Sequence, residues 1–168
     1  MKVKDLVLTA LFIAIVYIAT WGIGIPVMPG GGLVHTGTVA LFVISVCFGP
    51  KKGAVAGAVG MSLYDITSGF WAAWAPYTFV TRLVMGLIIG YVANFRQADG
   101  KNPILNGIAL AISGFWFIPA AYVSQILIMD VQWQVPIAAI TGNVMQLIIA
   151  LVLGMPLIAV INRFHHGR

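Results

Sequence analysis

Leu41-Phe-Val-Ile-Ser-Val-Cys-Phe-Gly-Pro-Lys-Lys-Gly-Ala-Val-Ala-Gly57 is the stretch on which the fold turns. An apolar run stops at Gly49-Pro50, two lysines follow, and a second apolar run begins at once. Glycine and proline punctuate the break, and lysines between two apolar segments mark a loop at a membrane surface. The remaining basic residues fall into similar short clusters: Lys2/Lys4/Asp5, Arg96/Asp99/Lys101 and Arg163/Arg168. Between successive clusters an even number of crossings fits, so all of them share one face. The positive-inside rule makes that face cytoplasmic and puts both termini there.

Composition agrees. Hydrophobic residues make up 61% of the 168-residue chain and charged residues 8%, with a mean hydropathy of +1.02, far from soluble norms. A span needs roughly 20 apolar residues, so six spans consume about 120 and leave short loops. The expectation is an all-α, polytopic membrane protein with six helices in a single integral-membrane domain, residues 1–168. The net charge of +5 is then a topology signal and not a nucleic-acid footprint. Cys47 stands alone, which excludes an internal disulfide and any cysteine-based metal motif. Lys2 and Lys4 before an apolar run imitate a signal peptide, but further spans follow and no persuasive cleavage site appears, so this segment reads as a retained helix.

The expected helices cover residues 5–21, 33–48, 53–68, 76–94, 103–129 and 136–162. Gly22-Ile-Gly-Ile-Pro-Val-Met-Pro-Gly-Gly-Gly32 is too rich in glycine and proline for a helix. Helices 2 and 3 are short for a full crossing. No internal repeat is visible, which argues against transporters built from inverted repeats. Small residues four apart (Ala10/Ala14, Gly53/Gly57 and Gly86/Gly90) let helices approach closely. Most such pairs serve packing within the chain, and at least one is open to another membrane protein.

The polar residues within the apolar segments carry the functional information. Arg82 is the cation expected inside the membrane, where a charge is costly and calls for a partner. Asp65 and Arg82 both lie roughly 6–9 Å below the outer surface at 1.5 Å per helical residue. An ion pair across the hairpin and a ligand role are both open for them. Tyr122 and Gln125 share a face of helix 5, and Asn143 lies about 10 Å down helix 6. Trp71, Trp74, Tyr77 and Trp133 belong to the outer loops or their edges, and His35 follows the glycine-rich loop, which folds over the same end. Each has a plainer reading: interface-belt tryptophans, an interfacial histidine, an asparagine bonded to a neighbouring helix. Trp116 and Gln146 lie deeper and read as packing residues. Clustered at one depth, the set describes an outward pocket with aromatic walls and a few amide, hydroxyl and charged groups, suited to a small polar heteroaromatic molecule.

The phosphate-cradling pattern is absent, and Gly100-Lys101-Asn102 lacks its spacing and hydroxyl. No glycine-flanked serine nucleophile or His-Glu metal motif occurs, and a proton relay would rest on Asp65 almost alone. No cofactor is expected. A binding protein that borrows its energy fits these residues better than an intramembrane enzyme or a purely structural membrane subunit, the two competing classes.

The chain resembles the substrate-binding S components of energy-coupling factor (ECF) vitamin transporters. The resemblance runs along the whole chain. It is most specific in Pro29-Gly-Gly-Gly-Leu-Val-His-Thr-Gly-Thr38, Phe48-Gly-Pro-Lys-Lys-Gly53, Ser68-Gly69, Trp74-Ala-Pro76 and Arg82-Leu-Val-Met-Gly86, which match the branch holding riboflavin-type and hydroxymethylpyrimidine- or pyridoxine-type members. It implies a six-helix bundle in a bacterial plasma membrane, binding a vitamin near the outer face. It also implies a transmembrane coupling subunit that meets Ala10-x-x-x-Ala14, two cytoplasmic ATPases, and a toppling motion that carries the pocket inward. The aromatic-plus-amide wall favours hydroxymethylpyrimidine or pyridoxine, whereas a free Arg82 suits a carboxylate such as pantothenate; riboflavin is a further alternative.

Overall fold

Among the described residues, six α-helices are joined by one small hairpin and short turns. The computed structural model describes residues 3–27, 32–69, 71–130, 132–134 and 136–165. Lys2 and Arg168 of the basic clusters, and residues 29–31 of the first loop, lie outside them. The elements are α1 (Val3–Gly22), β1 (Gly24–Val27), β2 (Gly32–His35), α2 (Gly37–Phe48), α3 (Pro50–Ser68), α4 (Ala75–Ala93), α5 (Pro103–Met129) and α6 (Ile137–His165). Proline opens α3, α4 and α5, where its missing N–H costs nothing. Asn102 caps α5 by accepting from the Ile104 and Leu105 amides at 3.0 and 3.3 Å.

Helices α1, α5 and α6, and α4 with the 3-10 turn before it, are long and apolar enough to cross a membrane. Large apolar side chains such as Leu6, Phe115 and Val152 stand exposed on them, as a lipid-facing surface requires. Of the other two, α2 is almost wholly buried, whereas α3 buries one face and leaves Val55, Leu63 and Ile66 exposed on the other. In α3 the apolar content is diluted by Gly53, Gly57, Gly60, Ser62 and Asp65, all buried. A Cβ on Gly60 would fall 2.8 Å from the Ile13 carbonyl of α1, and one on Gly86 of α4 would fall 2.6 Å from Ala54 Cα of α3. Gly53 and Gly57 face Ser45 and Leu41 of α2, and Gly90 faces Pro50. The two glycine pairs are therefore helix-crossing residues within the chain. Ala10 and Ala14 are different: both are exposed on α1.

Helix α2 has 12 residues, about 18 Å at 1.5 Å each, against a hydrocarbon core of about 30 Å. The expectation that this helix begins at residue 33 is corrected by the hairpin. Residues 32–35 pair antiparallel with 24–27, with Ile25 opposite Val34 and Gly24 opposite His35. This pairing satisfies backbone groups that a helical turn would otherwise satisfy. Thr36 then turns the chain, its hydroxyl donating to the Ala19 carbonyl at 2.5 Å and its amide to the Ile23 carbonyl at 3.3 Å. The all-α expectation holds for the bundle, with this two-stranded hairpin added to it.

The charged loops gather at one end. Lys52 pairs with Asp5 at 3.1 Å, and Asn94 donates to the Val46 carbonyl at 3.4 Å. The Gly100 carbonyl accepts from Asn106 and Asn162 at 2.8 and 2.9 Å. The starts of α1, α3 and α5 and the ends of α2, α4 and α6 therefore meet there, which leaves the hairpin and the tryptophan loop at the opposite end.

Candidate functional site

At the hairpin end a cavity of about 100 Å³ opens between one strand, four helices and the loop before α4. His35 comes from β2, Met61 and Asp65 from α3, Trp71 and Trp74 from the loop before α4. Helix α4 supplies Thr78, Thr81 and Arg82, α5 supplies Phe117, Ala121, Ser124 and Gln125, and α6 supplies Asn143 and Gln146. Helical spacing accounts for these sets: positions 78 and 82, 117, 121, 124 and 125, and 143 and 146 each recur on one helix face.

Seven of the ten residues expected at the site line the cavity: His35, Asp65, Trp71, Trp74, Arg82, Gln125 and Asn143. Three stand away from it. Tyr122 turns outward to donate to the Trp133 carbonyl at 2.6 Å, and Trp133 itself is 62% exposed. Tyr77 lies in a separate apolar groove between α4 and α5. Trp116, expected to pack by its depth, is 37% exposed and lines that same groove, donating to the Thr81 carbonyl at 3.2 Å.

Arg82 is 6% exposed, and its surroundings differ from the expected ion pair with Asp65. Its guanidinium carbon sits 4.1 Å above the centre of the Phe117 ring. Nη1 points to Thr38 Oγ1 and Met85 Sδ, each at 3.4 Å. Among the described residues the ion pair within 4 Å is Lys52–Asp5, so the Arg82 charge rests on a π-face and two long contacts. A desolvated cation over a ring is worth about 2 kcal/mol, which offsets part of the several kcal/mol that burying a guanidinium costs. Asp65 faces the same cavity and interacts with Thr78 and, at longer range, with Arg82; its Oδ2 has no hydrogen-bond partner.

A polar chain ties this centre to the hairpin. Thr38 Oγ1 accepts from Gln146 Nε2 at 2.6 Å as well as from Arg82. Gln146 Nε2 also lies 3.1 Å from His35 Nε2. Gln146, 2% exposed, thus ties α6 to α2 and strand β2, and Thr38 carries the link on to Arg82 of α4. Sequence depth assigns Gln146 to packing, yet it lines the cavity. Its place one helical turn after Asn143 was the available signal. Thr38 ends the Pro29–Thr38 stretch that carries the family resemblance, but no spacing singles out its hydroxyl, because its role comes from the hairpin that turns α2 toward Arg82.

Gln125 is 3% exposed and its Oε1 also lacks a partner. Trp71 and Trp74 meet edge to face, ring centres 6.1 Å apart, and wall the same space. The arrangement combines aromatic surfaces, a guanidinium donor, and buried carboxylate and amide acceptors, which together can hold a small flat molecule with polar edges.

A family model described as "ECF-type riboflavin transporter, S component" matches residues 1–163. An uncharacterized protein of the gap 3′ region in Pyrococcus woesei is 28% identical over 111 residues, covering 64% of this chain and 72% of that protein.

Proposed function

This chain belongs to the ECF S-component family, whose members are vitamin-binding transporter subunits and not enzymes, and from that premise we propose that its cargo is a single-ring heteroaromatic vitamin or precursor. Hydroxymethylpyrimidine or pyridoxine is the best match. The ligand is captured at the hairpin end, outside a bacterial plasma membrane, and passes inward with a transmembrane coupling subunit and two cytoplasmic ATPases. The cavity is the observation that carries this reading. Its volume of about 100 Å³ is of the order that holds one aromatic ring, since an engineered cavity of about 150 Å³ takes up benzene. Ala10 and Ala14, exposed on α1 while the glycine pairs are spent on internal crossings, support the partner contact.

Two other cargoes have an observation in their favour. Riboflavin is the vitamin in the matching family's description, and its three fused rings require the hairpin and tryptophan loop to move apart. Pantothenate gains from an Arg82 that is not paired with Asp65, but its carboxylate would share the cavity with that of Asp65. Tryptophan fluorescence of the purified chain, titrated with water-soluble vitamins, separates them. Saturable quenching by a one-ring vitamin at submicromolar concentration is the expected result. A response to riboflavin or pantothenate alone reassigns the cargo, and no response from folded protein refutes the binding function.

A further inference from the structure

Outside the ligand cavity, an apolar groove of about 700 Å³ runs along the bundle between α1, α2 and α6. Val39, Val43 and Ile44 of α2 are buried and form its floor, while the exposed Ile15 of α1 and Leu153 and Leu157 of α6 form its rims. The groove ends at Phe48, the last residue of α2, whose ring centre lies 4.6 Å from that of Phe12. That places its mouth at the charged end of the molecule. Along α6 it extends from Val152 to Ile161, about 14 Å at 1.5 Å per residue, close to one leaflet of a hydrocarbon core about 30 Å thick. A smaller hollow beneath the hairpin continues it to Ile148, about 20 Å in all and still short of the length a spanning helix occupies. The volume suits an acyl chain. A cavity of about 150 Å³ holds benzene, so a chain with three times as many carbons needs about 450 Å³.

The mouth is basic. Lys52 Nζ lies 3.1 Å from Asp5 Oδ1, so the start of α3 stands against the start of α1. Those two charges cancel. Lys4 and Lys51, each the sequence neighbour of one member of the pair, are exposed and carry the net positive charge there. Lys4 also heads the stripe Lys4, Leu8, Phe12, Ile15 and Ala19, which helical spacing puts on one face of α1, and the last three of these line the groove. Lys51 closely follows Phe48 across the Gly49-Pro50 turn. Ala10 and Ala14 lie more than about 100° around α1 from the middle of this stripe, so a coupling subunit docked on them leaves the groove open to lipid. We infer that the groove binds one anionic phospholipid of the cytoplasmic leaflet, with an acyl chain along α2 and the phosphate between Lys4 and Lys51. The chain fills the apolar floor and the headgroup charge meets the lysines, whereas a zwitterionic lipid satisfies only the first demand.

Native mass spectrometry of the purified full chain, titrated with dioleoylphosphatidylglycerol or dioleoylphosphatidylcholine, resolves the first lipid bound and tests the site. The two lipids share their chains, so the comparison isolates the headgroup. The phosphatidylglycerol should bind about 30-fold more tightly, about fivefold from each lysine. Lys4→Gln with Lys51→Gln should reduce that ratio to within about threefold. Arg96→Gln with Arg163→Gln makes the same change of charge on α6 and the loop after α4, and should leave the ratio intact. Leu157→Trp, which adds bulk at the rim, should weaken the first lipid of either kind. Equal affinity of the two lipids for the parent protein overturns the site, and so does an equal fall of the ratio in both double variants, which would show a diffuse field in its place. If Leu157→Trp leaves lipid binding unchanged but prevents assembly with the coupling subunit, the groove belongs to a helix of that subunit; if it instead dissociates a dimer, the groove belongs to a second copy. Either result overturns the lipid. The lysine variants alter only exposed side chains, so the ratio is read on folded protein even where the tryptophan variant fails to fold.

Discussion

Gly86→Ala tests the helix crossing on which the cavity is built. The added Cβ would lie 2.6 Å from Ala54 Cα and 2.8 Å from Ala54 N, where ordinary contact begins at 3.4 Å. Both obstructing atoms are backbone, so no rotamer change relieves the overlap, and α3 and α4 must separate by about 1 Å to reach normal contact. A gap of that size forfeits a quarter to a half of each contact's well of about 0.1–0.2 kcal/mol. Over the 40–60 atom pairs of one well-packed side chain the loss is about 1–6 kcal/mol, and the low end, about 1–3 kcal/mol, is what overpacked cores typically lose. At about 2–4 °C per kcal/mol for a chain of this size, a loss of about 1–3 kcal/mol should lower the midpoint by about 2–12 °C. The assay is thermal unfolding of the purified protein in detergent, with Ala14→Leu as its counterpart. The added bulk of that variant points away from the bundle, so its midpoint should match the parent while assembly with the coupling subunit and vitamin uptake decline. A Gly86→Ala midpoint equal to the parent's, or an Ala14→Leu loss as large as that of Gly86→Ala, would refute the assignment of the glycines to internal crossing and the alanines to an outer face.

Three further outcomes follow from the site and its supports. Asn143→Ala should weaken vitamin binding by about 1–3 kcal/mol, the cost of one buried hydrogen bond, whereas Tyr77→Phe and Tyr122→Phe should leave affinity unchanged; fluorescence titration of the three variants checks the assignment. Gln146→Leu removes the bonds to Thr38 and His35 and strands the histidine nitrogen, so it should destabilise the protein by about 2–4 kcal/mol. Hydrogen exchange should then show faster opening of residues 32–35, and unchanged protection there would sever the link drawn between α6 and the hairpin. Lys52→Ala breaks an ion pair whose side chains are 30% and 44% exposed, and the unfolding midpoint should register less than about 1 kcal/mol.

Helix positions were legible in the sequence because lipid and loop impose opposite compositions, so the change from one to the other is abrupt. Expected and observed helices differ by a few residues at each end except at the start of α2. There Val34, His35 and Thr36 read equally well as a helical turn, and the choice was made by pairing with residues 24–27. Depth along a helix also carried far: seven of the ten expected site residues meet in one cavity because residues at one level of a bundle are forced together. Depth says nothing about rotation around the axis, and that is where Tyr77 and Tyr122 left the site and Gln146 entered it, while Trp133 lies in the turn after α5 and stands exposed.

Sequence alone therefore determined that this chain lies in a membrane with its basic loops on one side, and that its polar residues concentrate near the other. These are consequences of transfer free energy, which depends on composition and order along the chain. Tertiary structure decided which charge meets which partner. Arg82 settles over Phe117 and toward Thr38 instead of against Asp65, because the α3–α4 crossing and the hairpin set directions that no spacing along the chain encodes. That same geometry leaves Asp65 Oδ2 and Gln125 Oε1 without a hydrogen-bond partner, which depth along the chain does not foretell.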